Sequence, residues 1–164
     1  KPNFAHKYLA RLEQDGKLTA VITQNIDCLH EMAGSKNVLK LHGTVDSNTC
    51  VICGKKYNME EFLEICETEN IPHCSKCGGI IKPDVTLYEE VPDPDTFRKA
   101  INEISKADTL IIGGTSLIVY PAASLIHYFQ GKNLVLINKS KTEQDNFANL
   151  VIHESIGDVF KKLK

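Results

Sequence analysis

Two pairs of cysteines constrain this chain more than any other feature of its sequence. Cys50 and Cys53 form the first pair, and Cys74 and Cys77 form the second after an interval of 20 residues. This spacing is typical of zinc sites with four thiolate ligands, in which each pair supplies two sulfur atoms from one tight turn. Glycine follows both pairs and tolerates the positive φ that such a turn often needs. We therefore predict one structural zinc ion, because four thiolates leave no coordination position for a water molecule.

The alternatives for these cysteines are two disulfide bonds or unpaired thiols. The N-terminal stretch, KPNFAHKYLARLEQDG, is polar and does not resemble a secretory signal. We therefore expect a cytoplasmic or nuclear protein, with the cytoplasm preferred, in a reducing environment where cysteines more often bind metals or react than form disulfides. Cys28 and Cys66 fall outside the paired spacing and are expected to be small buried residues without an assigned role. His73 is expected to be a solvent-facing neighbour of the zinc site.

The composition argues against two classes of partner. The 164 residues include 19 basic and 21 acidic side chains, which give a formal net charge of -2. Proteins that bind nucleic acids draw most of their affinity from basic side chains on phosphates, so we expect no nucleic-acid partner. No apolar run approaches the roughly 18–20 residues that span a bilayer, so we expect no membrane association.

Helical and strand patterns alternate along most of the chain. Apolar strands separated by helices predict an α/β, Rossmann-like fold with a mostly parallel sheet covered by helices on both faces. Helices are predicted to follow the capping residues Asn3, Asn58 and Ser155. The remaining patterns predict strands over 18–23, 38–41, 109–112, 134–138 and 150–153 and helices over 27–33, 95–106 and 121–130.

The alternation is interrupted in the middle of the chain. From about residue 44 to residue 87, cysteines, glycines and polar residues dominate, with one helical stretch among them. We therefore predict a zinc-binding module at 46–87. It would be inserted into a Rossmann-like domain formed by 1–45 and 88–164.

Three polar segments follow predicted strands, and open α/β sheets bind ligands at such strand ends. The first is TQNID at 23–27, whose two amides and carboxylate suit a sugar, a carboxamide or a polarised water. Its alternative role is a helix N-cap formed by Asp27 beside two turn-forming amides. The second segment contains His42 and Gly43. Histidine titrates near neutral pH and is a natural general base, although a histidine at a strand end is more often structural.

The third polar segment is Gly113-Gly114-Thr115-Ser116, which leads from a predicted strand towards a predicted helix. Small residues, hydroxyls and free backbone N–H groups suit contacts with phosphate or ribose. Asn138 after the next strand and Asp158 near the last helix could complete an adenosine site. Each of these two residues, taken alone, would be a turn or cap residue.

Taken together, the motifs resemble the sirtuins, a family of NAD-dependent protein lysine deacylases. The matching strings occur in the family's order and cover almost the whole chain. They are KPN at the N-terminus with His6, TQNID at 23–27, LH at 29–30, AGS at 33–35, LHG at 41–43, the four paired cysteines, KPDV at 82–85, GTSLIVYPA at 114–122 and the strand that ends in Asn138.

The resemblance implies an NAD site. Gln24 and His42 would contact the ribose next to nicotinamide, and Asn25 would position the reacting groups and a water molecule. Ile26 and Asp27 would hold the nicotinamide carboxamide. The catalytic residues would then be His42, Asn25 and Asp27. The adenosine half of NAD would be lined by Gly114, Thr115, Ser116, Asn138 and Asp158.

The resemblance also implies the substrate and the reaction. Val119 and the segment Asp84 to Glu90 would flank an extended acyl-lysine peptide, held by strand-like pairing. Nicotinamide would leave as the acyl oxygen attacks the ribose carbon, and His42 would then act as general base on a ribose hydroxyl. The products would be free lysine, nicotinamide and O-acyl-ADP-ribose.

The sequence departs from the family pattern in two places. Sirtuins usually carry Phe-Gly-Glu in the peptide-binding strand, and here the nearest match is Tyr88-Glu89-Glu90. The family's first strand and its Gly-Ala-Gly-x-Ser phosphate loop should precede Lys1 and are not among the 164 residues. We therefore expect this chain, as a truncated catalytic domain, to bind NAD poorly and to have little activity alone.

Two other functions remain open at this point. One is NAD-dependent ADP-ribosyl transfer to a protein, which would use the same site with a different acceptor. The other is a zinc-stabilised, non-catalytic module that binds a peptide without turnover. A variant with alanine at position 42 should keep the function of a binding module and lose most of the rate of an enzyme.

Overall fold

The computed structural model describes residues 1–163, and the chain divides into two compact units. We name the first the sheet unit; it comprises Lys1–Ile22, Leu29–Leu39 and Pro94–Lys164. We name the second the cysteine unit; it comprises Thr23–Cys28 and Lys40–Asp93.

Helices and strands alternate outside the cysteine-rich segment. The α-helices are α1 (Phe4–Gln14), α2 (Leu29–Ala33), α3 (Met59–Thr68), α4 (Pro94–Lys106) and α5 (Ile156–Lys162). The strands are β1 (Val21–Thr23), β2 (Val38–Lys40), β3 (Gly43–Cys50), β4 (Lys56–Asn58), β5 (Ile81–Val85), β6 (Thr109–Gly113), β7 (Asn133–Ile137) and β8 (Leu150–Ile152). Two 3-10 helices cover Ala122–Tyr128 and Asp145–Phe147. Within residues 1–163, the helices are too short or too polar to cross a membrane.

The sheet unit contains a parallel sheet in the order β6-β7-β8. The register pairs Gly113 with Ile137, and Ile137 with Ile152, so the three strands end at the same edge. Leu134, Leu136 and Ile137 of the central strand are buried. Their apolar side chains are what a parallel sheet covered by helices requires.

Helices α1 and α5 contribute to the core beside this sheet. Ala5, Val159 and Phe160 form a buried cluster with Ile137. Tyr8 stacks on Phe160 with ring centroids 5.3 Å apart. The helices therefore cover the central strand with side chains that recur on one face of each helix.

The predicted caps of α1 and α3 are confirmed as complete capping boxes. Asn3 accepts from the His6 backbone N–H at 3.2 Å, and the His6 ring accepts from the Asn3 backbone N–H. Asn58 and Glu61 exchange the same pair of bonds, each at 2.9 Å. Each box satisfies two backbone donors that a helix start would otherwise leave unpaired.

Four element predictions differ from the structure by more than one residue or in kind, and one of them is the helix predicted over 27–33, which begins at Leu29. The strand predicted over 18–23 begins only at Val21, because the N–H groups of Lys17 and Leu18 still bond to the Leu12 carbonyl at the end of α1. The helix predicted over 121–130 is a 3-10 helix closed by bonds three residues apart, such as Ser124 N–H to the Pro121 carbonyl. Ser155 precedes α5, but its side chain makes no capping bond.

The cysteine unit is built on an antiparallel sheet in the order β4-β3-β5. Its core cluster contains Cys50, Tyr57, Cys74 and Ile81, with side chains of α3 packed against it. Half of that buried cluster is therefore cysteine, and the metal site and the core of this unit are the same structure.

Gly43 allows β3 and β5 to approach each other closely. Its φ is 76°, a left-handed conformation that glycine adopts readily. A Cβ atom at this position would overlap the backbone carbonyl oxygen of Asp84. Backbone atoms cannot move aside as a flexible side chain can, so the position requires glycine.

Replacing Gly43 by alanine is expected to lower the free energy of unfolding by about 3 kcal/mol or more, from both the strained φ and the overlap with Asp84. The matched control is Gly16→Ala, because Gly16 has a φ of 69° but nothing within 4 Å of its Cβ position. That variant should lose only about 1 kcal/mol. Urea denaturation of both variants measures the difference, and equal losses would contradict the close-approach argument.

Candidate active site and metal centre

The four paired cysteines converge in the cysteine unit. Their Sγ atoms all lie within 4.8 Å of one another. The Sγ atoms of Cys50 and Cys77 are 3.5 Å apart, and those of Cys53 and Cys74 are 3.6 Å apart. A tetrahedral zinc site with Zn–S bonds of about 2.3 Å has sulfur–sulfur distances of about 3.8 Å, so the four thiols fit zinc.

The two turns that carry these cysteines have matching backbone geometry. The Gly54 N–H donates to the Cys50 carbonyl at 3.0 Å, and the Gly78 N–H donates to the Cys74 carbonyl at 2.8 Å. The two glycines have φ values of 69° and 71°, as the sequence predicted. Each turn thus directs two sulfur atoms to the same point.

Tyr57 is a residue of this centre that the sequence reasoning missed. Its hydroxyl group donates to the Sγ of Cys74 at 3.1 Å and accepts from the Ser75 backbone N–H at 3.0 Å. The Tyr57 hydroxyl is the main reason that the pKa of the Cys74 thiol falls to about 6. Cys74 is therefore favoured as a thiolate, the form that binds metal.

Cys77 differs from Cys74 in its protonation. The Gly79 N–H lowers the pKa of the Cys77 thiol. Cys53, burial and the other neighbouring thiols outweigh this effect and raise the pKa to about 12. Four thiols this close cannot all ionise without a cation. Zinc binding must therefore displace at least the Cys77 proton, and zinc affinity should fall as the pH falls.

The remaining cysteines and His73 occupy different environments. Cys66 is exposed, in contrast to the expectation of a buried residue, because α3 is a surface helix without any buried residue. Cys28 is half-buried, and its Sγ lies 3.3 Å from the Lys40 Nζ. His73 is exposed and bonds to Glu69 rather than joining the four thiols.

His42 is half-buried at the end of the segment that joins β2 to β3. Its ring Nδ1 lies 3.0 Å from the backbone carbonyl oxygen of Gln24. A carbonyl oxygen only accepts, so Nδ1 carries the hydrogen in this bond. In the neutral ring, Nε2 is then unprotonated and can accept a proton from a substrate.

The TQNID segment is held beside His42 by backbone bonds. The Leu41 N–H donates to the Thr23 carbonyl at 2.9 Å, and the Val45 N–H donates to the Ile26 carbonyl at 3.1 Å. The Asn25 N–H turns back to the Thr23 hydroxyl at 3.1 Å. These bonds expose the Asn25 and Ile26 side chains, while Gln24 and Asp27 are half-buried.

The segment from Asp84 to Glu90 adjoins the other side of His42. The Thr86 N–H donates to the His42 carbonyl at 3.0 Å, directly beyond the close approach of Gly43 to Val85. The cysteine unit therefore brings three predicted parts together: the TQNID segment, the histidine and the segment predicted to flank a peptide.

The sheet unit positions the third polar segment at the end of β6. Gly114 has a φ of 66°, open space at its Cβ position, and an N–H that donates to the Ile137 carbonyl at 3.1 Å. The Thr115 hydroxyl accepts from the Leu117 N–H at 3.2 Å, which closes a short turn. Gly114 and Ser116 are exposed at this turn.

Asn138 and Asp158 lie at the same edge of the parallel sheet. Asn138 directly follows β7; its N–H donates to the Ile152 carbonyl and its side-chain amide to the Ser140 carbonyl, both at 3.0 Å. Asp158 is exposed in the first turn of α5. The start of α5 is fixed beside β6 because Ile156 packs against Gly113, where a Cβ atom would collide with it.

The predicted site residues therefore form two groups. The group in the cysteine unit comprises Gln24, Asn25, Ile26, Asp27 and His42. The group in the sheet unit comprises Gly114, Thr115, Ser116, Asn138 and Asp158. Each group lies within one unit.

Comparisons with known proteins agree with the resemblance seen in the sequence. The model of the Sir2 family matches residues 1–121. Two relatives are each named NAD-dependent protein deacetylase. The one from Clostridium perfringens is 63% identical over 164 residues, which are 99% of this chain and 66% of the relative. The one from Clostridium acetobutylicum is 56% identical over 161 residues, which are 98% of this chain and 65% of the relative.

A solved structure described as Sir2-p53 peptide-NAD+ has the same fold. It superposes with a TM-score of 0.95 at 41% identity, over 99% of this chain and 69% of that chain. The predicted α/β fold with a four-cysteine module is thereby confirmed. The chain spans 66% and 65% of the length of the two curated relatives. With a family model matched over most of its residues, this chain belongs to the Sir2 family.

Proposed function

We propose that the protein carrying this chain is an NAD-dependent protein lysine deacylase. The observation that carries the proposal is the geometry of His42. Its Nδ1 donates to the Gln24 carbonyl in the TQNID segment, which leaves Nε2 as the proton acceptor, and its own carbonyl accepts from the Thr86 N–H at the end of β5. The two clostridial relatives are named for the same activity.

The proposed NAD contacts follow the two groups of residues. Gln24 and His42 contact the ribose next to nicotinamide, and Ile26 with Asp27 holds the carboxamide. Asn25, which is exposed, positions the reacting groups and a water molecule. The adenosine half contacts the polar residues at one edge of the sheet unit, namely Gly114, Thr115, Ser116, Asn138 and Asp158.

These residues are chemically suited to NAD. The space beside Gly114 is open, so a phosphate or ribose can approach the backbone of this turn closely. Ser116 and Asn138 add hydrogen-bonding groups to the same edge of the sheet. The amides and carboxylate of TQNID match the donors and acceptors of a carboxamide and a ribose.

His42 performs the proton transfer in this proposal, with Asn25 and Asp27 as the other catalytic residues. NAD, when bound, supplies a ribose carbon that accepts the acyl oxygen and a hydroxyl that receives the acyl group. Nε2 of His42 takes the proton of that hydroxyl, while the Gln24 carbonyl holds the ring in one tautomer and orientation. The acyl group is transferred to ADP-ribose with the consumption of one water molecule, the one that Asn25 is proposed to position, so the lysine and nicotinamide are released as separate products.

The four thiolates hold one structural zinc ion. Four thiolates fill the tetrahedral coordination of zinc, so no position is left for a catalytic water molecule. Two of these cysteines, Cys50 and Cys74, also belong to the core cluster of the cysteine unit. Zinc therefore stabilises the unit that carries His42 and the peptide-flanking segment. Thiols used in this way require a reducing compartment, which favours a cytoplasmic location.

An extended acyl-lysine peptide is the proposed protein substrate. Val119 is 46% exposed after the Gly114 turn, and the segment from Thr86 to Glu90 is accessible beyond β5. Accessible backbone next to a sheet edge can pair with an added strand.

The mass of the acceptor peptide tests the proposed function. The intact protein that carries this chain is incubated with NAD and a lysine-acetylated peptide, and the peptide is examined by mass spectrometry. We expect the peptide to lose its acetyl group and O-acetyl-ADP-ribose to appear in equal amount. Gain of an ADP-ribosyl group would instead show ADP-ribosyl transfer, and an unchanged peptide that remains bound would show a binding module.

A further inference from the structure

An ion pair closes the turn that follows β5 in the cysteine unit. The Lys82 Nζ donates to both carboxylate oxygens of Glu90, each at 2.8 Å, and to the Val85 carbonyl at 3.2 Å. The Glu90 carboxylate also accepts from the Leu87 N–H at 2.8 Å. We call this arrangement of Lys82, Glu90 and Leu87 the β5 clamp.

The turn held by the β5 clamp would not be stable on backbone preference alone. Its residue Glu89 has a φ of 72°, which side chains other than glycine adopt at a cost of roughly 1–2 kcal/mol. Tyr88 is 99% exposed and contributes no packing. A single backbone bond, from the Glu90 N–H to the Leu87 carbonyl at 3.1 Å, spans the turn. The carboxylate of Glu90 is therefore the main group that fixes it.

The clamp is connected to the candidate catalytic residue through β5. Lys82 lies in β5, and the Thr86 N–H just beyond that strand donates to the His42 carbonyl. On the paired strand, the Ser47 hydroxyl donates to Asp84 and fixes the middle of β5. The position of the turn relative to His42 is thus set by these bonds.

The clamp also forms part of the wall of an open cavity of about 340 Å³. Lys82, Asp84, Glu90 and Val91 are among its lining residues. The Leu87 N–H and the Lys82 ammonium lower the pKa of the Glu90 carboxyl, so the carboxylate form that makes the clamp is favoured. The side chains of Lys82 and Glu90 are 35% and 44% exposed, so the pair is accessible and not part of the core.

From this geometry we infer that Lys82 and Glu90 are positioning residues for the acyl-lysine peptide. They hold the Leu87–Glu90 turn in one position relative to His42 and do not touch the reacting atoms. The inference rests on the proposed function, because it assigns the segment from Asp84 to Glu90 to the peptide. It goes further by naming the contact that fixes this segment.

The test is a comparison of steady-state constants for Glu90→Gln and Lys82→Met in the intact protein. Each variant keeps most of the side chain's shape and removes the charge pairing. We expect KM for an acetyl-lysine peptide to rise by about 3- to 10-fold in both, with kcat and the KM for NAD within about 2-fold of the parent. Lys82→Arg retains a charged donor that can pair with both oxygens of the Glu90 carboxylate, so its peptide KM should stay within about 2-fold of the parent.

The control is Glu154→Gln, which removes an exposed ion pair with Lys162 in the sheet unit. It should leave all constants unchanged. Hydrogen exchange reports on the clamp directly, and the Leu87 amide should exchange faster in Glu90→Gln than in the parent. An unchanged peptide KM in an active Glu90→Gln variant would overturn this inference and would leave the proposed function standing. A parent protein that neither binds nor turns over acyl peptides would overturn the proposed function, and this inference with it.

Discussion

Replacing His42 by alanine should reduce the rate of acyl transfer by about 10²- to 10⁴-fold, the usual contribution of a general base. The His42 ring is half-buried and bonds to the Gln24 carbonyl, so its removal costs little packing and leaves one backbone carbonyl without this partner. The variant should therefore keep its fold and its zinc. The measurement is the initial rate of O-acyl-ADP-ribose formation at saturating NAD and peptide.

His127→Ala is the matched control for this variant. His127 is an exposed histidine in the 3-10 helix of the sheet unit and has no assigned role, so its replacement should leave the rate unchanged. The mechanism places the action of His42 after nicotinamide departs. Nicotinamide exchange should consequently suffer less than product formation in His42→Ala. A His42→Ala protein that forms product at the parent rate would exclude His42 as the base.

Replacing Cys74 by serine should weaken zinc binding by more than about 100-fold and unfold the cysteine unit. Cys74 is 3% exposed, and its Sγ accepts a hydrogen bond from the Tyr57 hydroxyl group. The change therefore disturbs both the metal site and the core cluster. Removing zinc from the parent with a chelator should have the same effect. Zinc content by mass spectrometry and far-UV circular dichroism report the two consequences separately.

Cys66→Ser is the control for the zinc prediction. Cys66 is exposed on α3 and is not among the four converging thiols, so this variant should retain one zinc ion per chain. Zinc release should also increase as the pH is lowered, because protons compete for thiolates. A Cys74→Ser protein that keeps its zinc and its fold would show that these thiols do not form the predicted centre.

The sequence was sufficient to predict the metal centre, except for one residue. The spacing of the paired cysteines and the glycine after each pair specify tight turns, and both turns are present with positive φ. Tyr57 could not be found in the same way. Its hydroxyl reaches Cys74 only because β4 pairs with β3 in a particular register, which no local pattern encodes.

The candidate active site shows the same division between local and long-range information. Polar residues at strand ends are a local signal, and the structure places Gly114 and Asn138 at one edge of the parallel sheet as expected. The partner of His42 was not predictable, since it is the backbone carbonyl of Gln24 and any residue type could supply it. The roles of these residues in binding NAD stay predictions.

The conformation of the turn after β5 could not be predicted from the sequence. The string Tyr88-Glu89-Glu90 departs from the family's Phe-Gly-Glu, and without the glycine it does not indicate a left-handed residue at position 89. The structure shows Glu89 in a left-handed conformation, as glycine would be, with Glu90 paired to Lys82 eight residues earlier. An ion pair across a turn has no spacing rule, so it emerges only once the path of the chain is known.

The most direct test of the central claim is nicotinamide release from NAD by the intact protein, measured with and without an acetyl-lysine peptide. We expect release that requires the acetylated peptide, is absent with the same unacetylated peptide, and is lost at steady state in His42→Ala. Release that is independent of the acetyl group, or no release from folded, zinc-loaded protein with any acyl-lysine peptide, would contradict the central claim.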